Sequence, residues 1–284
     1  MAAFLTDNNE FSLLRLVPPV LRARDFRLYT KGGRRLVDLW QNGGAAILGH
    51  TPPAMLRELK NTASRGLYAP FPHFLEDRYA KALSRIFPGR VFRFYAAPPP
   101  ELEILMANSS ANGNTGSTAV FWRPFINPEN PLAAPDDLAP IVIPVVPGIQ
   151  GWRNNIPLGL CVLAIKPDTE SIPSLPPSDF LSPVLLAVAA RGIYDLIAAA
   201  PQRAKPVYPR IAKALKNSRE RQGQWQCQGL YVSLRTPVSH AEWEPIFRCF
   251  LEAGFLLPPV SSHPAILPGI LSPGEEAKLA DLLG

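Results

Sequence analysis

Lysine is scarce in this sequence: 8 Lys stand against 21 Arg, and none lies between Lys81 and Lys166. Chemistry that needs a primary amine therefore has few places to be, because arginine stays protonated and cannot form an imine. Cysteine is scarcer still. Cys161, Cys227 and Cys249 are an odd number without metal-ligand spacing, which argues against a disulfide framework or a zinc site and makes them small apolar core residues. No metal is expected. No run reaches the roughly 18 apolar residues of a membrane span. The opening Met1-Ala2-Ala3-Phe4-Leu5-Thr6-Asp7 lacks the basic start and apolar stretch of a signal sequence. A cytoplasmic protein without a membrane partner is the expectation. The net charge of +6 is scattered singly or in pairs, so nucleic acid is not an expected partner.

What is present is a chain of 284 residues, 47% hydrophobic, enough for one large domain or one domain with a smaller appendage. Phe26–Thr30 and Arg35–Trp40 read as a hairpin around Lys31-Gly32-Gly33, whose glycines supply the positive φ of a tight turn. A Gly-rich segment, Gln41-Asn42-Gly43-Gly44 to Gly49-His50, follows, and Pro53 opens a helix to about Ser64. A second helix runs from about Phe74 to Ile86 and ends at Phe87-Pro88-Gly89. Four short apolar runs then predict buried strands: Val91–Tyr95, Ala119–Trp122, Ile141–Val146 and Leu160–Ile165. Helices are expected over Ser182–Ala199, Pro209–Arg221, Ala241–Ala253 and from Ser272 to Leu283, with strands at Gly229–Leu234 and Phe255–Leu257.

The run Gly33-Arg34-Arg35-Leu36-Val37-Asp38-Leu39-Trp40, then Gly43-Gly44 and Leu48-Gly49-His50-Thr51-Pro52, resembles the N-terminal part of class III aminotransferases and glutamate-semialdehyde aminomutases. Glu252-Ala253-Gly254-Phe255-Leu256-Leu257-Pro258-Pro259 and Ser272-Pro273-Gly274-Glu275-Glu276 resemble that family's small C-terminal domain. The resemblance implies an α/β protein of pyridoxal-phosphate (PLP) dependent transferase fold type I: a mostly parallel core sheet flanked by helices, with a small α+β domain formed by the two termini. The family's chains are longer, so this one is expected to be a reduced form, its loss falling in the cofactor domain. The expected division is 1–88 for the N-terminal segment joining the small domain, 89–200 for a reduced cofactor-type domain and 201–284 for the C-terminal small domain.

In the family the first core strand leads into a loop whose N–H groups, at a helix N-terminus, hold the PLP phosphate. Aligning Phe92–Tyr95 with that strand places Ala96-Ala97-Pro98-Pro99-Pro100-Glu101 at the loop, where three successive prolines remove three donors. Ile143 stands where the family strand carries an acid, and the Asp that would pair with the pyridinium nitrogen has no counterpart. Counting back from Pro157-Leu158-Gly159, which resembles the stretch after the Schiff-base lysine, lands near Gln150. Arg153 is no substitute for that lysine.

Lys166, just past a strand, is the one lysine near this core, either a displaced Schiff-base residue or an exposed strand-end lysine before Pro167. Ser117 and Thr118, in Asn114-Thr115-Gly116-Ser117-Thr118, have the donors of an anion-binding loop, but a strand rather than a helix follows. His50 and His73 lack the partners of a nucleophilic triad. Gln41, Asn42, Gly43 and His50 match the family region that approaches substrate and the partner subunit, and are the candidate ligand cleft. The resulting expectation is a degenerate aminotransferase-like protein without cofactor, acting as a structural or regulatory partner, as a homodimer or with a heteromeric protein. The alternatives are a PLP-dependent aminotransferase or aminomutase with an unorthodox cofactor site, and a small-molecule binding protein that uses the remnant cleft.

Overall fold

The computed structural model describes residues 12–102, 105, 119–133, 139–149, 151–153, 156–167, 175–204, 208–220 and 223–284, with the backbone alone described at 151–153, 156–158, 219 and 220. In chain order the strands and helices are β1 (Val20–Arg24), β2 (Arg27–Thr30), β3 (Arg35–Asp38), α1 (Pro53–Ala63), α2 (Leu75–Leu83), β4 (Val91–Tyr95), β5 (Ala119–Trp122), β6 (Ile141–Pro144), β7 (Gly151–Arg153), β8 (Ile156–Leu158), β9 (Cys161–Ile165), α3 (Pro183–Arg203), α4 (Pro209–Glu220), β10 (Trp225–Gln228), β11 (Tyr231–Leu234), α5 (His240–Ala253), β12 (Phe255–Leu256), β13 (Ala265–Ile266) and α6 (Pro273–Leu283). The chain divides into two units, Met1–Thr51 with Pro201–Gly284, and Pro52–Ala200. The first boundary thus falls at Thr51 rather than 88, and α1 and α2 belong with the second unit.

In the first unit both ends of the chain build one sheet, ordered β1-β2-β3-β12. The β2–β3 hairpin is antiparallel, and Gly32 and Gly33 take φ of 98° and 82° in its turn. β12 joins β3 in parallel, with Phe255 opposite Val37. A second sheet, β10-β11-β13, completes the unit. Leu36, Leu39, Trp225, Trp243, Phe247, Phe250 and Phe255 are buried in one cluster, and the Trp225 ring lies 5.6 Å from Phe250 and 6.3 Å from Trp243. Each such side chain contributes about 1.5–3 kcal/mol by leaving water. The two helices that pack here start with reciprocal caps, Ser239 with Glu242 and Ser272 with Glu275, and Gly254 at φ 99° ends α5.

The second unit holds a sheet ordered β4-β9-β6-β5. β5 and β6 are parallel, whereas β9 runs antiparallel to both β4 and β6. Three of the four strands therefore share a direction, and the reversed β9 between β4 and β6 makes two of the three pairings antiparallel. All four residues of β6 and all five of β9 are buried, the continuous apolar reading of a strand covered on both faces. Arg90 clamps one end of this sheet, its Nη1 donating to Pro140 O and Ala164 O at 3.1 Å each. Tyr79 of α2 lies against Phe94, ring centroids 5.2 Å apart, and Phe87 meets Trp122 edge-on at 5.0 Å.

Among the described residues one helix, α3, is long and apolar enough by composition to cross a membrane. It is the helix expected over Ser182–Ala199, and Arg191 and Asp195 interrupt its apolar run. Those two side chains pair at 2.5 Å, four residues apart, and 56% of the apolar window is buried inside the protein. That is the pattern of an interior helix in a packed domain.

Candidate functional site

In an open α/β sheet, ligands bind beyond the carboxyl ends of the strands. For β4, β5 and β6 those ends are Tyr95, Trp122 and Pro144, and β9 begins beside them at Cys161, opposite Tyr95. β4 does lead through a loop into a helical turn at Pro100–Leu102. That loop is committed elsewhere. The N–H of Ala96 donates to the Asp179 carboxylate at 2.9 Å, Ala96 O accepts from Gly159 N at 2.7 Å, and Pro98, Pro99 and Pro100 have no N–H. A helix N-terminus attracts an anion through free, converging amides. Here Asp179 already supplies negative charge at the Ala96 amide.

The stretch that brings Asp179 is held along β4. Ser178 Oγ accepts from Phe94 N at 3.1 Å, Asp179 N donates to Phe94 O at 2.9 Å, and Tyr95 Oη donates to Pro176 O at 2.7 Å. Arg93 Nη1 donates to Leu175 O and Pro176 O at 2.5 and 2.6 Å. On the next strand Ile143 is fully buried in one apolar cluster with Tyr95, Leu102 and Cys161. A carboxylate there would face desolvation without a partner.

Lys166 sits at the opposite end of the sheet. Its N–H donates to Pro140 O at 2.9 Å, and Ile165 pairs with Val91, the first residue of β4. Six residue steps from Arg90 to Ala96 at about 3.3 Å each separate that edge from the β4 loop by about 20 Å. Lys166 is partly exposed, one residue past the end of β9. Ser117 and Thr118, with Asn114, Thr115 and Gly116, lie outside the described residues, as does Gln150.

In the first unit the candidate cleft residues are brought together by Asp38. Its carboxylate is 2% exposed: Oδ1 accepts from Trp40 N at 2.9 Å and Gln41 N at 2.8 Å, and Oδ2 lies 2.8 Å from His50 Nε2. Gln41, Asn42 and Gly43 follow with φ of 49°, 48° and 65°, a left-handed run that turns the chain sharply. Gln41 points inward. It is fully buried, and its Nε2 donates to Ile266 O at 2.9 Å. Gly43 is buried, and Asn42 and His50 are partly exposed. His50 N donates to Asp25 O at 2.7 Å, and a Cβ on Gly49 would come within 3.1 Å of that same oxygen.

Arg203, at the end of α3, is the residue that the sequence reading missed. It is 7% exposed, and its Nε and Nη2 donate to Ile47 O at 3.0 Å and Leu267 O at 2.6 Å. The guanidinium carbon is 5.1 Å from the Phe26 ring centre. Burial draws its pKa down to about 10. The 41–50 segment is thus tied by Asp38, Ile266 and Arg203, and of the four cleft residues only Asn42 and His50 show surface. A carboxylate-backed imidazole can hold or pass a proton, but among the described residues no serine or cysteine is hydrogen-bonded to His50. The hairpin's terminal Asp was visible in the sequence. Nothing near Arg203 in sequence hinted at its partners, which lie 156 and 64 residues away.

No family model matches the chain. An uncharacterized protein of Treponema pallidum (strain Nichols) is 26% identical over 90% of this chain and 91% of its own. A glutamate-1-semialdehyde 2,1-aminomutase of Sorangium cellulosum (strain So ce56) is 33% identical, over 25% of this chain and 16% of its own. Among solved structures, the Plasmodium falciparum ornithine delta-aminotransferase superposes with a TM-score of 0.61 at 11% identity, covering 93% of this chain and 91% of that one. An omega-transaminase from Sphaerobacter thermophilus does so with a TM-score of 0.61 at 11% identity, covering 94% and 90%. Together with the sheet and the terminal unit described above, these likenesses establish that the chain has the α/β fold of the PLP-dependent aminotransferases.

Proposed function

We propose that this chain is a degenerate member of the aminotransferase fold, without transaminase activity or bound PLP, that serves in the cytoplasm as a structural or regulatory protein partner. The observation that carries the reading is the end of β4. The Ala96 amide donates to Asp179, Pro98, Pro99 and Pro100 follow Ala97 without N–H groups, and the lysine of the described sheet, Lys166, lies at the far edge. Phosphate capture and imine formation both lose their groups, because proline has no N–H and transamination needs a primary amine near the ring. Burial of Ile143 supports the same reading, since an aminotransferase core without acids on β5 or β6 lacks a partner for a protonated pyridine. Meanwhile the 41–50 turn keeps its internal hydrogen bonds, as a retained scaffold would.

The test is a visible spectrum of the purified protein titrated with PLP, then borohydride reduction and mass mapping of modified lysines. The reading predicts weak, scattered labelling with no stoichiometric aldimine band. A single lysine labelled to one equivalent would overturn it.

A further inference from the structure

We infer that β1 is a docking edge that takes an acidic, extended segment of a different protein as an added strand. The inference rests on the reading above in taking a protein as the partner. β1 ends its sheet, with β2 on one side and no strand on the other among the described residues. Arg22 stands opposite Tyr29 and Arg24 opposite Arg27. Lys31 N donates to Pro19 O at 2.7 Å, whereas Thr30 N turns the other way, to Arg34 O. The backbone groups of Tyr29 and Lys31 therefore face β1, and those of Arg22 and Arg24 face β2. By the same alternation Ala23 turns its N–H and C=O outward, where a further strand would meet them.

The two faces of this edge set the partner's chemistry. On one, two residues apart, stand the exposed Arg22 and Arg24, and the Arg22 guanidinium carbon lies 4.3 Å from the Tyr29 ring centre. The acids near them are engaged or open to water. Glu275 pairs with Arg27 and Arg35, and Asp25 lies 3.7 Å from Arg24 with side chains 62% and 72% exposed. So exposed a contact contributes little. On the other face Ala23, opposite Leu28, packs against the buried cluster of the first unit. Val20, opposite the buried Thr30, continues that apolar rim at 45% exposure, and Leu21, where the register shifts, is 71% exposed.

A strand added here sets its side chains alternately on the two faces. Acidic residues at every second position meet Arg22 and Arg24, and apolar residues between them cover the rim at Val20 and Ala23. A second copy does not suit this edge, because antiparallel pairing would bring the arginines of one β1 against those of the other. The net charge of +6 adds a general attraction toward an acidic partner.

Fluorescence anisotropy on the full chain tests this with a labelled, alternating Glu-Val peptide of about eight residues, long enough to pass the whole of β1. The peptide is expected to bind, and to bind more weakly as salt rises from about 0.05 to 0.5 M. A Lys-Val peptide, which repels the arginines, and a Glu-Pro peptide, which keeps the charge but lacks alternate N–H groups, are expected not to bind. Arg22→Glu combined with Arg24→Glu should weaken binding at least about tenfold. Ala23→Pro removes an outward N–H and leaves the β1–β2 ladder whole, so it should weaken binding as much while circular dichroism and Tm stay unchanged. Equal binding of the Glu-Val and Glu-Pro peptides would overturn the inference, since charge alone would then be read. So would a Glu-Val peptide that does not bind, or a chain that sediments as a dimer which Ala23→Pro dissolves, because its own copy would then hold the edge. None of these outcomes depends on PLP, so this edge and the cofactor reading fail separately.

Discussion

Asp38 and His50 meet at 2.8 Å across the glycine-rich turn, and the same carboxylate accepts the backbone N–H groups of Trp40 and Gln41. One buried side chain therefore sets the path of the 41–50 segment. Removing it leaves two amides and an imidazole without their acceptor. Asp38→Ala is expected to cost about 3 kcal/mol or more, with Asp38→Asn recovering part of that, as measured by urea denaturation.

Arg203 is a second tie on that segment. Arg203→Ala should destabilise the protein by about 3 kcal/mol, because Ile47 O and Leu267 O lose a donor in a dry environment. Arg203→Lys should recover only part, since an ammonium cannot reproduce the guanidinium fork. Thermal unfolding of both variants reads out the difference.

Asp179→Ala frees the Ala96 amide without restoring the three N–H groups that prolines remove. The variant is therefore expected to gain no phosphate-dependent rise in Tm, and to lose no more than about 1 kcal/mol from this exposed contact. A clear shift with millimolar phosphate would mean that the carboxylate alone was excluding the anion.

Glu275 carries the pH dependence. Burial pushes its carboxyl up, but the hydrogen bond from Arg27, the Ser272 cap and the Arg27 charge outweigh this and hold it at about 2. Arg27 Nη2 is 2.6 Å from it, with side-chain exposures of 15% and 13%. A folded pKa below the unfolded value adds stability that is complete above about pH 4.5 and disappears as pH falls toward 2. Discounting for solvent contact, about 1–2 kcal/mol should be lost over that window. In Glu275→Gln the stability should change less between pH 5 and pH 2.5, measured by chemical denaturation at each pH.

Gly192 lies in α3, where Gly→Ala ordinarily stabilises by about 1 kcal/mol. Here a Cβ would fall 2.6 Å from Pro147 O, so Gly192→Ala should instead destabilise by about 1–3 kcal/mol. A stabilised variant in urea denaturation would show that the helix can move away from that carbonyl.

The elements that were legible in the sequence are those whose own residues announce them. The β2–β3 hairpin follows from Gly32 and Gly33, both at positive φ, α6 from its Ser272 start with acidic residues in the first turn, and the end of α5 from Gly254. β4, β5, β6 and β9 follow from short apolar runs, which the structure buries throughout in β6 and β9 and in part in β4 and β5. β1 escaped notice because it is an exposed strand with no buried alternation to read, and β10 because three of its four residues are exposed. β13 is two residues long and exists as a strand only by pairing with β11.

Local sequence settles the short-range half of the protein: where chain segments extend, coil and turn, and that no lysine lies between Lys81 and Lys166. The three prolines after β4 follow from it too, since the loss of an N–H is a covalent fact. Tertiary structure alone decided that β9 reverses between β4 and β6, which sends Lys166 to the far edge of the sheet, and that Gln41 turns inward to Ile266. Strand direction and side-chain partners depend on residues far apart in the chain. They are selected when buried polar groups must find acceptors and apolar faces must be covered, and no local pattern records that choice.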